Sequence, residues 1–88
     1  MTAKNRPASG IVEVDVHGMN TYQAKVCLKA ALKRAGSSVY RIRVIHGYRG
    51  GTALRDAVRG EIAHDPKVLR VEMGLNPGET DLVLREFY

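Results

Sequence analysis

The chain has 88 residues, of which 44% are hydrophobic and 26% charged, the balance of one ordinary globular domain and not of a disordered segment. No apolar run approaches the roughly 18 residues of a membrane span, no hydrophobic stretch of a signal peptide follows the basic opening residues, and the single Cys27 offers neither an internal disulfide nor a CxxC metal site. Fourteen Lys and Arg against nine Asp and Glu leave a net charge of +5, which favours polyanionic partners, nucleic acid first among them, and the cytoplasm is the expected compartment.

Residues 1–10 contain Lys4, Arg6, Pro7, Ser9 and Gly10 without periodicity and read as a flexible tail, leaving 11–88 as the domain. From Ile11 the pattern is regular: Val12, Val14 and Val16 alternate with Glu13 and Asp15, as in a strand. Asn20 stands three residues before Gln23, a variant of the capping box. Ala24, Cys27, Leu28, Ala31, Leu32 and Ala35 then form the apolar stripe of a helix that Gly36 should end. Lys25, Lys29 and Lys33 line one exposed ridge of that helix, and Cys27 falls in its core stripe.

Val39 to Ile45 predicts a second strand, with Tyr40, Ile42 and Val44 on one side and Arg41 and Arg43 on the other. A glycine-rich turn follows over 47–51, and Thr52 is placed to cap a second helix carrying Leu54, Ala57, Val58 and Ile62. Asp65-Pro66 ends that helix, with Gly60 inside its last turn and His64 as a capping residue. Val68 to Met73 predicts a third strand, Asn76-Pro77-Gly78 a turn, and Thr80 to Phe87 a fourth strand with either Leu82 and Leu84 or Val83 turned inward. The order β-α-β-α-β-β implies a right-handed crossover, parallel pairing of the first two strands and antiparallel pairing of the last two. The expected fold is therefore an α/β two-layer sandwich, a four-stranded mixed sheet with both helices on one face.

Val16-His17-Gly18 and Ile45-His46-Gly47 each end a strand and precede a loop and a helix. In an open parallel arrangement such strand ends face one crevice, beside helix N-termini. Asp15 and His17, two apart on a strand, point to one side, so the carboxylate can orient the ring for proton transfer. A lone strand-end histidine is more commonly a turn residue; two in equivalent positions, one with an aspartate at i−2, favour a functional site. Gly47, Gly50 and Gly51 allow close backbone approach to a phosphate that Arg49 could grip, with Thr52 beside it and Arg55 extending the track. The segment has neither the Gly-Lys-Ser/Thr of a Walker loop nor a dinucleotide fingerprint, and nothing supplies a base pocket for a small nucleotide. Arg59, four residues after Arg55, could extend the same track, although both equally suit a solvated face, the more ordinary reading for Arg59. Tyr22 and Tyr48 follow the two loops, where either could stack on a base, although packing against a helix is the more ordinary role.

These residues resemble the Smr (small MutS-related) domain. Val14-Asp15-Val16-His17-Gly18 matches its Leu-Asp-Leu-His-Gly signature conservatively, and His46-Gly47 followed by Ala53-Leu54-Arg55 matches its second signature. The resemblance runs from Ile11 to Tyr88. Where the family commonly has His-Gly-x-Gly-x-Gly, this chain has Tyr48-Arg49-Gly50-Gly51 and one more residue before Ala53. The resemblance implies an α/β sandwich like the C-terminal domain of bacterial translation initiation factor three. It also implies nicking endonuclease activity on DNA, RNA cleavage or ribosome-associated action, with Asp15, His17 and His46 as catalytic candidates and Gly18 and Gly47 as binding candidates. RNA cleavage can use the 2′-hydroxyl as nucleophile without a metal, whereas DNA hydrolysis would suit Mg²⁺ or Mn²⁺ with Asp15 as a ligand. The alternative is a non-catalytic nucleic-acid or ribosome-binding module.

Overall fold

The alternation of valines with charged residues at the start of the domain produces strand β1 (Ile11–Asp15), followed by α1 (Thr21–Arg34), β2 (Arg41–Ile45), α2 (Ala53–Arg59), a 3₁₀ turn at Ile62–His64, β3 (Arg70–Met73) and β4 (Glu79–Val83). The computed structural model describes residues 10–48, 52–74 and 76–86; the expected tail, Gly10 apart, lies outside them. The strands form one four-stranded sheet in the order β1-β2-β4-β3. β1 and β2 are parallel, with Ile11 opposite Arg41 and Asp15 opposite Ile45, and β4 is antiparallel to both β2 and β3. This is the expected α/β sandwich, with β4 inserted between β2 and β3.

Alternation decides which side of each strand is buried. Val14, Val16, Ile42, Val44 and Leu82 pack in one core with Ala24, Leu28 and Leu32 of α1, Val58 of α2 and Ile62. The opposite face carries a row of charge across all four strands, Glu13, Arg43, Asp81 and Glu72 in register. Asp81 is 3% exposed there, a costly position for a carboxylate without partners. Arg41 donates to it at 2.7 Å and Arg43 at 3.1 Å, and Arg41 also reaches Glu72 at 2.9 Å.

The Asn20–Gln23 capping box forms as expected, with both reciprocal bonds present. Helix α1 stops before Gly36, at Ala35 in extended conformation (φ −66°, ψ 118°), where the Lys67 ammonium donates to the Leu32 carbonyl at 2.8 Å. The cation is a second donor to that carbonyl, beside the Ala35 N–H at 3.3 Å, and complements the helix dipole. The second helix is shorter than its apolar stripe. Gly60 (φ −91°, ψ −85°) breaks it, and Ile62 reaches the core from the separate 3₁₀ turn. The ring of His64 bonds the Gly60 carbonyl, in keeping with a capping role. Cys27 is only partly buried against the core. Leu82 faces the helices, and Val83 is buried as well, on the opposite face. Among the described residues no helix is long and apolar enough to cross a membrane.

Several surface carboxylates are held charged by cations. Hydrogen bonds from Arg41 and Arg70 keep Glu72 below its ordinary value of 4.5, Arg70 does the same for Glu86, and Lys25 and Lys29 for Glu61. A carboxyl whose folded value is depressed contributes stability that is complete above the unfolded value and is lost as pH falls through the folded one. Urea midpoints measured across this range should therefore drop once pH passes below about 4.5. Glu72→Gln should be less stable than wild type near neutrality and show a shallower fall on acidification.

Candidate functional site

Parallel pairing sets the ends of β1 and β2 side by side: the Val16 N–H donates to the Ile45 carbonyl at 2.9 Å. Beyond this bond both chains turn sharply at a His-Gly. In the first turn the Met19 N–H returns to the Val16 carbonyl at 3.1 Å with Gly18 at φ +85°. Such a turn needs positive φ at its third residue, which glycine adopts without steric cost. In the second, Gly47 sits at φ +76°, and a Cβ built there would lie 3.5 Å from the His17 Cβ, so the two turns abut.

Asp15 Oδ1 accepts the backbone N–H of His17 at 3.1 Å and contacts its ring Nδ1 at 2.5 Å. An ionised carboxylate can only accept, so the Nδ1 proton points to Asp15, and Nε2 is the ring nitrogen that Asp15 leaves free for other partners. The ring is well exposed, 66% of the side chain reaching solvent.

The second histidine is set differently. His46 is 4% exposed, with Nδ1 2.8 Å from the Gly47 carbonyl and Nε2 2.9 Å from Thr80 Oγ1. Arg59 Nε donates to the same hydroxyl oxygen at 3.0 Å. The polarity of these bonds is consistent along the chain: Arg59 donates to Thr80, Thr80 to His46 Nε2, and His46 Nδ1 to Gly47. His46 therefore has both ring nitrogens engaged inside the protein. The Gly47 N–H and the His46 N–H both donate to the Gly78 carbonyl, at 3.0 and 2.9 Å, so that Gly47 amide is not directed at a ligand.

Between the two turns lies a groove of about 700 Å³ lined by residues 17–21 and 46–48 with Ala53 and Leu54. Of the residues singled out from the sequence, His17, Gly18, His46 and Gly47 line it, with Asp15 hydrogen-bonded to His17. Thr52 and Arg55 do not. The Thr52 hydroxyl bonds Asp56 at 3.0 Å instead of capping α2, and Arg55 contacts Asp56 at 3.4 Å. Arg49, Gly50 and Gly51 lie outside the described residues. Thr80 and Arg59 are the participants that sequence reasoning missed. The available signal was a hydroxyl residue at an inward position of the strand pattern Thr80, Leu82, Leu84.

Among the described residues no three His, Cys, Asp or Glu side chains converge where they could hold a metal ion, and Asp15 Oδ1 is engaged by His17. This donor set does not fit a protein-held Mg²⁺ or Mn²⁺.

The Smr domain model matches residues 14–79, both His-Gly turns and the intervening elements included. The chain belongs to the Smr domain family. The Smr domain of Thermus thermophilus MutS2, a crystal structure, superposes with a TM-score of 0.73 at 30% identity, covering 84% of this chain and 98% of that one. No curated protein matches the chain. Smr domains are a nucleic-acid-binding family.

The relay behind His46 gives a direct prediction for this Smr domain. Thr80→Val keeps the side-chain shape but leaves a histidine nitrogen and an arginine N–H without their partner, at a cost of about 1–3 kcal/mol in urea unfolding. Thr80→Ser, which retains the hydroxyl, should lose clearly less.

Proposed function

We propose that this Smr domain is an endonuclease that breaks phosphodiester bonds in DNA or RNA at the groove between its two His-Gly turns. The observation that carries the reading is the Asp15–His17 pair: an exposed imidazole at the mouth of a groove, with its inner nitrogen fixed 2.5 Å from a carboxylate and its outer nitrogen open. That is the equipment of a general base or acid.

In this reading His17 Nε2 takes the proton of the attacking oxygen, the 2′-hydroxyl of RNA or a water molecule at DNA, as that oxygen bonds phosphorus and the P–O bond to the leaving oxygen breaks. The imidazolium formed is balanced by Asp15 and returns its proton to the leaving oxygen or to solvent. His46 acts indirectly, by holding the Gly47 turn through the Thr80 relay. Arg49, Gly50 and Gly51 complete the phosphate contacts, while Thr52 and Arg55 serve chiefly through Asp56. Net charge +5 draws the polyanion in, so binding should weaken steeply as salt rises. A cytoplasmic location suits such substrates, the ribosome among them.

The test is cleavage of supercoiled plasmid and of a structured RNA by wild type, His17→Ala and Asp15→Asn, with Mg²⁺, Mn²⁺ or EDTA present. His17→Ala should lower the rate about 10²–10⁴-fold with binding retained, and Asp15→Asn should fall between it and wild type. Cleavage unchanged in His17→Ala would reject the assignment. Salt-sensitive binding without any cleavage would make the domain a nucleic-acid or ribosome-binding module.

A further inference from the structure

The sequence favours helix packing for Tyr22 and Tyr48, yet both rings are mostly in solvent, 74% and 59% exposed. Only Tyr48 lines the groove. Its placement is specific. A Cβ on Gly78 would come within 3.3 Å of the Tyr48 Cδ1, so the ring edge rests on a residue that has no side chain. The same Gly78 carbonyl binds the N–H groups of His46 and Gly47, the two residues just before the ring. The ring is thus held at its edge, and neither a hydrogen bond nor a ring contact engages it among the described residues. Its neighbours in the groove include Met19, Ala53 and Leu54. An apolar wall of this kind offers little to a phosphate and suits the flat face of a base.

We infer that Tyr48 is a base-stacking platform and that the groove takes an unpaired nucleotide, whose base lies on the Tyr48 ring while its backbone passes His17. This rests on the nuclease reading only in placing nucleic acid at the groove, and it narrows the substrate class to strands with an unstacked, accessible base. A base inside an intact duplex has both faces covered and cannot use the platform.

The test measures affinity over a range of salt for labelled single-stranded DNA, single-stranded RNA of the same sequence, the DNA duplex and an abasic strand with the same phosphates. Tyr48→Ala should weaken single-strand binding roughly 5- to 150-fold, the range found when a stacked aromatic is truncated. It should leave duplex and abasic binding nearly as in wild type and keep the slope against salt, because no phosphate contact is removed. Tyr48→Phe should retain the single-strand preference. Tyr22→Ala, which removes a similarly exposed ring outside the groove, should not alter it. The chain has no tryptophan, so Tyr48→Trp adds a single indole, excited selectively over the remaining tyrosines, that should be quenched by the single strand and not by the abasic one. A loss on DNA, RNA or both supports the platform and names the backbone it serves. Equal losses on single strand, duplex and abasic strand, or an unchanged preference in Tyr48→Ala, would overturn the platform while leaving the nuclease reading standing. Failure of wild type to bind any strand would overturn both.

Discussion

The parallel pairing of β1 with β2 is the constraint on which the site depends. A five-residue register from Ile11 opposite Arg41 to Asp15 opposite Ile45 brings two strand ends to one point, and each then meets a glycine that turns the chain sharply. Slipping the register by one residue would send Val14 and Val44 to the charged face and Asp15 and Arg43 into the core. The energetic demand for one buried apolar face therefore also fixes where His17 and His46 stand. The open face adds a second lock, since Asp81 is buried only where Arg41 and Arg43 both reach it.

Two nearly identical tripeptides acquire opposite roles because of what surrounds them. His17 follows an edge strand with Asp15 two residues back, so its ring is oriented yet exposed. His46 follows a strand flanked on both sides, and β4 presents Thr80 to it. The relay from Arg59 through Thr80 then ties α2, β4 and the second turn together, and the turn at 76–78 closes over the backbone of the same residues. One histidine is left exposed, as the proposed chemistry requires, and the other is tied into the wall of the groove that the first one lines.

Much of this was legible along the chain because it is local. Period-two valines, the Asn20–Gln23 box, the helix stripe and the echo of His-Gly all depend on near neighbours, and the structure bears out the strand pairing they imply. The break at Gly60 was visible as a glycine but not as a second turn, since Ile62 satisfies the apolar stripe in either conformation. Thr80 and Arg59 are 34 and 13 residues from His46, and nothing local marks a threonine and an arginine as partners of a distant imidazole. The exposed rings fall in the same class. Whether an aromatic after a loop is packed or free is decided by elements that arrive from elsewhere, here the glycine at position 78.

In the proposed mode of action nucleic acid meets this domain at the groove between the two His-Gly turns, with His17 Nε2 against the scissile phosphate. The most direct measurement is a heteronuclear NMR titration of the labelled protein with a non-hydrolysable phosphorothioate strand, following backbone amides together with the histidine ring nitrogens. Perturbation should concentrate at residues 17–21 and 46–48, with a shift of the His17 Nε2 resonance and an unaltered His46 ring pattern. Perturbation centred on the charged face around Arg41, Arg43 and Arg70, with the His17 ring unmoved, would contradict it.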